Sequence, residues 1–187
     1  MKLGIYLKLL RIHTACLTMA GTMLGAIVGG ERSPIILLIF AVWALCFHAW
    51  GFLQNNLYDL KYDVKDPSKQ HFPLVDGTIK VTRAWAIHYV FLGIVLIIGF
   101  VLSMLRMNAV PILFLLTAIT FGTMYNLFSK RTLLAPLFIT ISFTSLPLFS
   151  FLMVSDTFNI AMLLVAAYTL FLMMYQISVE GYLKDIG

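Results

Sequence analysis

Long apolar segments restrict the folds open to this chain more than any other feature of its sequence. A helix needs about 20 mostly apolar residues to cross the hydrocarbon core of a bilayer. The sequence contains six segments of about that length, at positions 12–30, 34–53, 84–105, 107–124, 132–154 and 158–179. Because a spanning element must satisfy its own backbone polar groups, we expect an all-α fold, a polytopic transmembrane bundle of about six helices that forms a single membrane domain over residues 1–187.

The composition excludes an ordinary soluble domain. The chain is 61% hydrophobic and only 11% charged, whereas soluble domains carry about 25% charged residues. Cys16 and Cys46 both fall within apolar segments, and their spacing matches no metal-ligand pattern. We therefore interpret both cysteines as packing residues.

Lysine and arginine are divided unevenly between the two sets of connecting loops. If the six segments cross a membrane in turn, all 13 of these residues except Arg32 and Arg106 share the side of the N-terminus. Cytoplasmic loops carry such an excess of basic residues. We expect an integral protein of a prokaryotic plasma membrane, with the N-terminus and its active face cytoplasmic. The net charge of +5 is explained by this bias and by membrane lipid headgroups, so no nucleic-acid partner is expected.

Glycines and prolines within the apolar segments indicate how the helices pack. Gly21, Gly25 and Gly29 recur every fourth residue in the first segment, a pattern typical of close helix contact. We expect three prolines to bend their helices, since such bends are tolerated where neighbours satisfy the released carbonyls; they are Pro111, Pro136 and Pro147. His48 and His88 also lie within apolar segments, and we interpret both as neutral hydrogen-bonding residues.

The most informative residues follow the second apolar segment. No helix breaker occurs from position 34 to 66, so the helix is expected to continue past the hydrocarbon. Asn55, Asp59 and Asp63 then fall along one stripe, each one turn from the next. Two carboxylates one turn apart repel each other unless a cation lies between them, and Mg²⁺ prefers one or two carboxylates together with substrate phosphates. A solvated helix end with interleaved lysines is the alternative that spacing leaves open.

Four motifs in order resemble one family. Residues 55–63, N-N-L-Y-D-L-K-Y-D, resemble the N-D-x-x-D-x-x-x-D motif of the UbiA-type intramembrane prenyltransferases. Residues 66–79 are similar to the K-x-x-R-P-L-x-x-G-x-I continuation of that motif, and R-I-H-T at 11–14 is similar to an R-P-x-T motif. The stretch 125–131 resembles the Y-x-x-x-K loop. All four fall on one predicted membrane face, and the resemblance covers the chain from residue 11 to its end.

The sequence also departs from the family pattern. Asn56 stands where the family has Asp, and Phe72 replaces an Arg before Pro-Leu. The Tyr-to-Lys spacing in 125–131 is one residue longer, and the second acidic motif is partial, E-G-Y-L-K-D at 180–185. Family members continue through about three more helices, so the resemblance implies a UbiA-like fold that lacks the last helices, roughly the first two-thirds of a member.

The resemblance implies a function and a set of site residues. The function is Mg²⁺-dependent transfer of an isoprenyl group from a prenyl diphosphate to a small acceptor at the cytoplasmic membrane face. The metal ligands that it implies are Asn55, Asp59, Asp63, Glu180 and Asp185. The implied diphosphate contacts are Arg11, Lys69, Lys130 and Arg131. The catalytic residues that the resemblance implies are Asp59, Asp63 and Tyr125, the tyrosine because an aromatic face stabilises an allylic cation.

Other functions stay open at this point. The chain could be a truncated or inactive relative that binds prenyl diphosphate without transferring it, or a small polytopic transporter. Clustering of the acids at one face favours a catalytic site over a transport path. A phospholipid-synthesising transferase would carry D-G-x-x-A-R, whereas residues 76–81 are D-G-T-I-K-V. A second segment or copy could complete the bundle, and the acceptor (aromatic acid, naphthoate, sugar phosphate or glyceryl lipid) is left open.

Overall fold

The computed structural model describes residues 2–157 and 159–185, with side chains described for 4–157 and 159–175. Within these ranges the chain forms seven α-helices, two short 3₁₀-helices and no strand, which confirms the all-α prediction. The α-helices are α1 (Lys2–Leu9), α2 (Ala15–Val28), α3 (Pro34–Asp63), α4 (Val81–Leu105), α5 (Val110–Phe128), α6 (Ala135–Val154) and α7 (Ile160–Asp185). The 3₁₀-helices are Ile12–Thr14 and Pro67–Lys69.

The six predicted apolar segments correspond to α2–α7. Among the described residues, α3, α4, α5 and α6 are long and apolar enough to cross a membrane, and shorter apolar helical stretches occur at Ile12–Val28 and Ile160–Tyr175. The prediction of a bundle of about six helices is therefore confirmed. Helix α1 was not predicted, because its eight residues are too few to give an apolar segment of spanning length.

The core is formed mainly by α3 and α6. Helix α6 packs against α2, α5 and α7, and α3 packs against α2, α4 and α5. The indole of Trp43 stacks on the ring of Phe149 at a centroid distance of 4.5 Å, and Phe47 packs on Trp50 at 5.2 Å. Aromatic pairs of this kind add to the stabilisation from area burial. The Trp43–Phe149 stack joins α3 to α6, while the Phe47–Trp50 pair lies within α3.

Glycines in α2 allow close approach to α6. A Cβ at Gly25 would collide with the backbone of Pro147 and the hydroxyl of Ser150, and one at Gly29 would collide with the last turn of α6. Nothing lies near the corresponding position of Gly21. The predicted close contact is thus found at two of the three glycines.

Two of the three predicted proline bends were wrong. Pro111 and Pro136 lie in the first turn of α5 and α6, where the missing N–H would have had no helical partner. Only Pro147 lies inside a helix among the described residues. The segments predicted from the sequence begin a few residues before α5 and α6 do. Pro111 and Pro136 were therefore placed inside their helices, although both lie in the first turn.

The helix order creates two chemically different ends of the bundle. We call the end that holds α1, the loop 64–80 and the turn 129–134 the polar end, and the end that holds 29–33, 106–109 and 155–157 the opposite end. The loop 64–80 is packed against the bundle, because buried Leu74 and Ile79 join Leu9, Leu53 and Leu57 in one apolar cluster. This cluster holds the loop beside the last turns of α3.

Candidate functional site

The acidic residues lie on the last turns of α3, as the sequence predicted. The helix is continuous to Asp63, and the Asn55 Nδ2 donates to Asp59 Oδ2 at 3.1 Å. One turn further on, Lys69 Nζ donates to Asp63 Oδ1 at 3.2 Å, as an ion pair. Amide and carboxylate oxygens therefore follow one another along a single helix face at the polar end.

A capped turn brings Lys69 to Asp63. Asp66 Oδ1 accepts from the hydroxyl of Ser68 at 2.7 Å and from its backbone N–H at 2.9 Å. The hydrogen bond from the Ser68 hydroxyl, aided by the one from the backbone, holds the pKa of the Asp66 carboxyl below its usual range. Asp66 therefore stays ionised as the cap of the Pro67–Lys69 turn, and this turn carries Lys69 back over the end of α3.

The basic turn after α5 meets the same acidic end. Lys130 is the cation that acts most strongly on the Asp59 carboxylate, with Lys69 as a second. The Arg131 guanidinium lies beside the Tyr62 hydroxyl on the last turn of α3. Residues more than 65 positions apart are thereby brought together, as the resemblance implied. Carboxylates of α3 and cations of the two loops thus lie near one another, and among the described residues Lys69 and Asp63 form the ion pair recorded at this end.

A cavity of about 140 Å³ opens beside the acidic end. It lies between α3, α5 and α6, and three of the predicted site residues line it: Arg11, Asn55 and Tyr125. An apolar cavity of about 150 Å³ can hold a benzene molecule. The cavity thus has room for a group the size of one ring or a glycerol unit.

Arg11 lies in an uncommon backbone conformation at the edge of this cavity. Its φ and ψ are 47° and 43°, in the left-handed region, which costs a residue with a side chain about 1–3 kcal/mol. Its guanidinium carbon lies 5.3 Å from the centroid of the Phe52 ring, within cation–π range. Surrounding contacts therefore hold both the backbone and the side chain of Arg11.

The two departures at positions 56 and 72 have structural explanations. Asn56 Nδ2 donates to the carbonyl of Leu9 at 2.8 Å and ties α3 to the end of α1; an aspartate has no hydrogen to donate here. The Phe72 ring lies 5.2 Å from Lys69 Nζ and 5.7 Å from Lys8 Nζ. The residue that replaces the family's Arg therefore holds cations instead of supplying one.

Sequence reasoning missed a buried amide pair below the site. Asn126 Nδ2 donates to Gln54 Oε1 at 2.8 Å and to the carbonyl of Gly51 at 3.2 Å. Gln54 Nε2 in turn approaches the hydroxyl of Thr123 at 3.4 Å. Gln54 and Asn126 fall just after the predicted apolar segments 34–53 and 107–124, so they did not stand out as polar residues within a segment. The pair joins α3 to α5, and Asn126 lines the cavity.

The two histidines of the apolar segments differ in their hydrogen bonding. His48 is buried and hydrogen-bonded on both ring nitrogens, as predicted. His88 is also buried, and its ring packs against Trp85 and Trp50. Its Nδ1 has no hydrogen-bond partner among the described residues.

The donors at the end of α3 fit a magnesium ion that shares its ligands with a substrate. No group of three or more His, Cys, Asp or Glu residues lies together in the described part of the chain. Asp59 and Asp63, with the amide oxygen of Asn55, match the small carboxylate set that Mg²⁺ uses with phosphates. Glu180 and Asp185 lie on α7, but their side chains are outside the described residues, so a second metal site stays a prediction.

Comparison with known proteins identifies relatives for nearly the whole chain. The model of the UbiA prenyltransferase family matches residues 15–186. A curated relative, the digeranylgeranylglyceryl phosphate synthase of Sulfurisphaera tokodaii, is 29% identical over 122 residues. This match covers 64% of the present chain and 41% of the relative.

Two solved structures share the fold. One, described as a digeranylgeranylglyceryl phosphate synthase in membranes, gives a TM-score of 0.76 at 20% identity over 92% of this chain and 60% of its own. The other, an apo UbiA homologue from Aeropyrum pernix K1, gives a TM-score of 0.71 at 17% identity. This match covers 88% of the present chain and 61% of the chain in that structure. The chain therefore spans about 60% of the length of these structures. Because the family model matches residues 15–186, the chain belongs to the UbiA prenyltransferase family.

Proposed function

We propose that this chain binds a prenyl diphosphate at its polar end and takes part in transferring the isoprenyl group to a small acceptor. The observation that carries the proposal is the meeting of Asp59 and Asp63 on α3 with Lys69 and Lys130 from two separate loops. A diphosphate needs a metal-binding carboxylate set on one side and cations on the other. The carboxylates and the cations are both present at the last turns of α3.

Asn55, Asp59 and Asp63 would hold Mg²⁺ together with oxygens of the diphosphate. When bound, the metal neutralises charge on the departing diphosphate. The first carboxylate is already oriented by the Asn55 amide, and the second by Lys69. Both carboxylates keep oxygens that these contacts do not use, so ligand binding does not require either contact to break.

The cations of the site would neutralise the remaining diphosphate oxygens. Lys69, Lys130 and Arg131 approach the end of α3 from the two loops, and Arg11 reaches it from the edge of the cavity. Charge-assisted hydrogen bonds to the leaving group strengthen as its charge develops. The bond between the prenyl C1 and the diphosphate oxygen breaks, the diphosphate keeps the electron pair, and the acceptor bonds to C1 and loses a proton. Tyr125 would present its ring to the allylic cation.

We propose a glyceryl lipid as the acceptor. The relative that is 29% identical is a digeranylgeranylglyceryl phosphate synthase, and the cavity of about 140 Å³ has room for a glycerol unit. An aromatic acid, a naphthoate and a sugar phosphate are the alternatives that an acceptor screen would distinguish.

We also propose where the protein lies in the cell and how its bundle is completed. Positive-inside bias supports a cytoplasmic polar end, and the relative from Sulfurisphaera tokodaii supports a prokaryotic membrane. Because the solved relatives are longer than this chain, we propose that a further segment or a second copy supplies the remaining wall of the prenyl site. A chain that binds prenyl diphosphate without transferring it would correspond to the inactive-relative alternative.

The test is Mg²⁺-dependent binding of geranylgeranyl diphosphate to the purified chain in lipid nanodiscs. Asp59→Ala and Asp63→Ala should each weaken binding by about 10–100-fold, the effect of removing one charge-assisted interaction. Lys61→Ala is the matched control, since Lys61 is exposed on the same turn and lies off the stripe. Parent-like affinity in both aspartate variants would contradict the metal assignment.

A further inference from the structure

His48 is a residue of α3 whose side chain contacts α2 and the backbone of Arg11, a predicted substrate-binding residue. Only 3% of the residue is exposed. Its Nε2 lies 3.1 Å from the carbonyl oxygen of Arg11 and 3.2 Å from the hydroxyl of Thr14, and its Nδ1 lies 2.9 Å from the hydroxyl of Thr18. Both ring nitrogens are therefore used within the protein.

The partners fix the tautomer of His48. A carbonyl oxygen only accepts hydrogen bonds, so Nε2 carries the hydrogen that it donates to Arg11. The Thr14 hydroxyl donates to the same carbonyl at 2.9 Å, which leaves its lone pairs facing the His48 N–H. In a neutral ring Nδ1 then accepts from the Thr18 hydroxyl. Every hydrogen bond in the cluster is accounted for with one arrangement of protons.

The same histidine also supports the side chain of Arg11. Its ring packs on that of Phe52 at a centroid distance of 4.3 Å, and Phe52 is the ring over which the Arg11 guanidinium lies. Arg11 is therefore held at two points, directly at its carbonyl and indirectly at its guanidinium. Because its left-handed backbone is unfavourable for a residue with a side chain, it depends on such support.

We propose that His48 is a positioning residue that fixes Arg11 in its left-handed conformation and directs the guanidinium to the diphosphate side of the cavity. The inference rests on the proposed function, because it assigns to Arg11 a contact with the prenyl diphosphate. His48 itself contacts no substrate. The amino acid at position 48 thus controls affinity for the diphosphate through the conformation of another residue.

The proposal predicts that His48 and Arg11 act as a unit. Two variants that disrupt the same interaction should not add their effects, whereas independent sites add. We therefore expect Arg11→Gln and His48→Phe each to weaken Mg²⁺-dependent binding of geranylgeranyl diphosphate by about tenfold. The double variant should bind no more weakly than Arg11→Gln alone. Additive losses would overturn the proposal, since His48 would then act through some other contact.

A conservative variant separates positioning from packing. Glutamine can place an amide N–H where His48 Nε2 lies, so His48→Gln should recover binding to within about threefold of the parent. His88→Phe is the control, because His88 is equally buried in the same bundle and packs against Trp85 instead of Arg11; it should bind like the parent. If His48→Gln binds as weakly as His48→Phe, the hydrogen bond to Arg11 is not the cause.

A second measurement reports on Arg11 without any substrate. Phenylglyoxal modifies accessible arginines, and mass spectrometry of the peptide that contains residue 11 gives the rate. Release of Arg11 from Phe52 should raise this rate several-fold in His48→Phe. Should that variant not fold, Thr18→Val removes the hydroxyl that orients the ring and should raise the rate in the same direction. An unchanged rate in the folded variants would overturn the proposal, while absence of diphosphate binding by the parent would instead overturn the proposed function.

Discussion

The two ends of the bundle use their charged residues differently. At the opposite end, charges close helix ends: Arg32 Nη1 donates to the carbonyl of Ile27 at 2.7 Å, and Arg106 Nη2 donates to that of Val154 at 2.7 Å. The Glu31 carboxylate accepts from the backbone N–H groups of Arg32 and Ser33, just before α3 begins. These side chains satisfy backbone groups that a helix end leaves without partners.

At the polar end, two carboxylates of one helix face cations from two separate loops, whereas the ion pair recorded at the opposite end among the described residues is that of Arg106 with Asp156, at 4.0 Å. Lys69 pairs with Asp63, Lys130 approaches Asp59, and Arg11 lies over an aromatic ring. Such an arrangement contributes little to stability when it is exposed, but it can bind a ligand that carries both a metal and negative oxygens. The group that a charged side chain contacts therefore indicates its role better than the mere presence of the charge.

Cavity volume alone does not show which end of the bundle holds the functional site. A cavity of about 220 Å³ lies at the opposite end, larger than the cavity of about 140 Å³ that Arg11, Asn55 and Tyr125 line; a further pocket of about 300 Å³ lies between α1 and the loop 64–80. Apolar side chains such as Ile36, Phe40 and Leu102 form most of the wall of the cavity at the opposite end, and its arginine, Arg106, is already bound to a carbonyl. We therefore place the site by its chemistry and not by its volume.

The largest expected difference between the two ends is their accessibility from the two sides of a membrane. Ser68→Cys at the polar end and Asp156→Cys at the opposite end, each made in a Cys16→Ser/Cys46→Ala background, should react with an impermeant maleimide from opposite sides. Ser68 is exposed, and the side chain of Asp156 is 75% exposed, so burial should not limit either reaction. Labelling of residue 68 from outside intact cells would contradict the cytoplasmic assignment.

The next prediction compares one cation from each end. Lys130→Gln should weaken Mg²⁺-dependent binding of geranylgeranyl diphosphate by about 10–100-fold, because it removes a charge that acts on Asp59 and the diphosphate. Its melting temperature in nanodiscs should change little, since Lys130 is exposed. Arg106→Gln should give the reverse: parent-like binding, and a decrease of about 1 kcal/mol in the free energy of unfolding, because the hydrogen bond to Val154 is removed. Equal effects of both variants on binding would remove the distinction between the ends.

The sequence was sufficient for features that depend on local spacing. Uninterrupted apolar runs predicted α2–α7, and the lack of a breaker before Asp66 predicted the extension of α3 to Asp63. The relation of Asn55 to Asp59 follows from helical spacing alone, so it could be predicted without knowledge of the fold.

Long-range pairings were beyond such reasoning. The hydrogen bonds from Asn56 to Leu9, from Asn126 to Gln54 and from His48 to Arg11 join residues 37–72 positions apart. Each depends on how the helices rotate against one another, and single-sequence periodicity does not determine that rotation. The same limit explains why the departure at Asn56 could be noted in the sequence, whereas the hydrogen bond by which Asn56 joins α3 to α1 could not be predicted.

The smallest expected effect tests this interpretation of Asn56. Asn56→Asp restores the residue that the family carries, and it replaces an N–H donor with a carboxylate that faces the Leu9 carbonyl. We expect a decrease of about 1–2 kcal/mol in the free energy of unfolding, because the carbonyl loses its partner and meets a second acceptor. Asn56→Ala is the control, since it removes the hydrogen bond without adding a charge and should cost less. Both can be measured by thermal unfolding in nanodiscs at matched pH, with and without Mg²⁺. If Asn56→Asp is as stable as the parent and binds Mg²⁺ more tightly, then position 56 belongs to the metal site and the link from α3 to α1 does not require it.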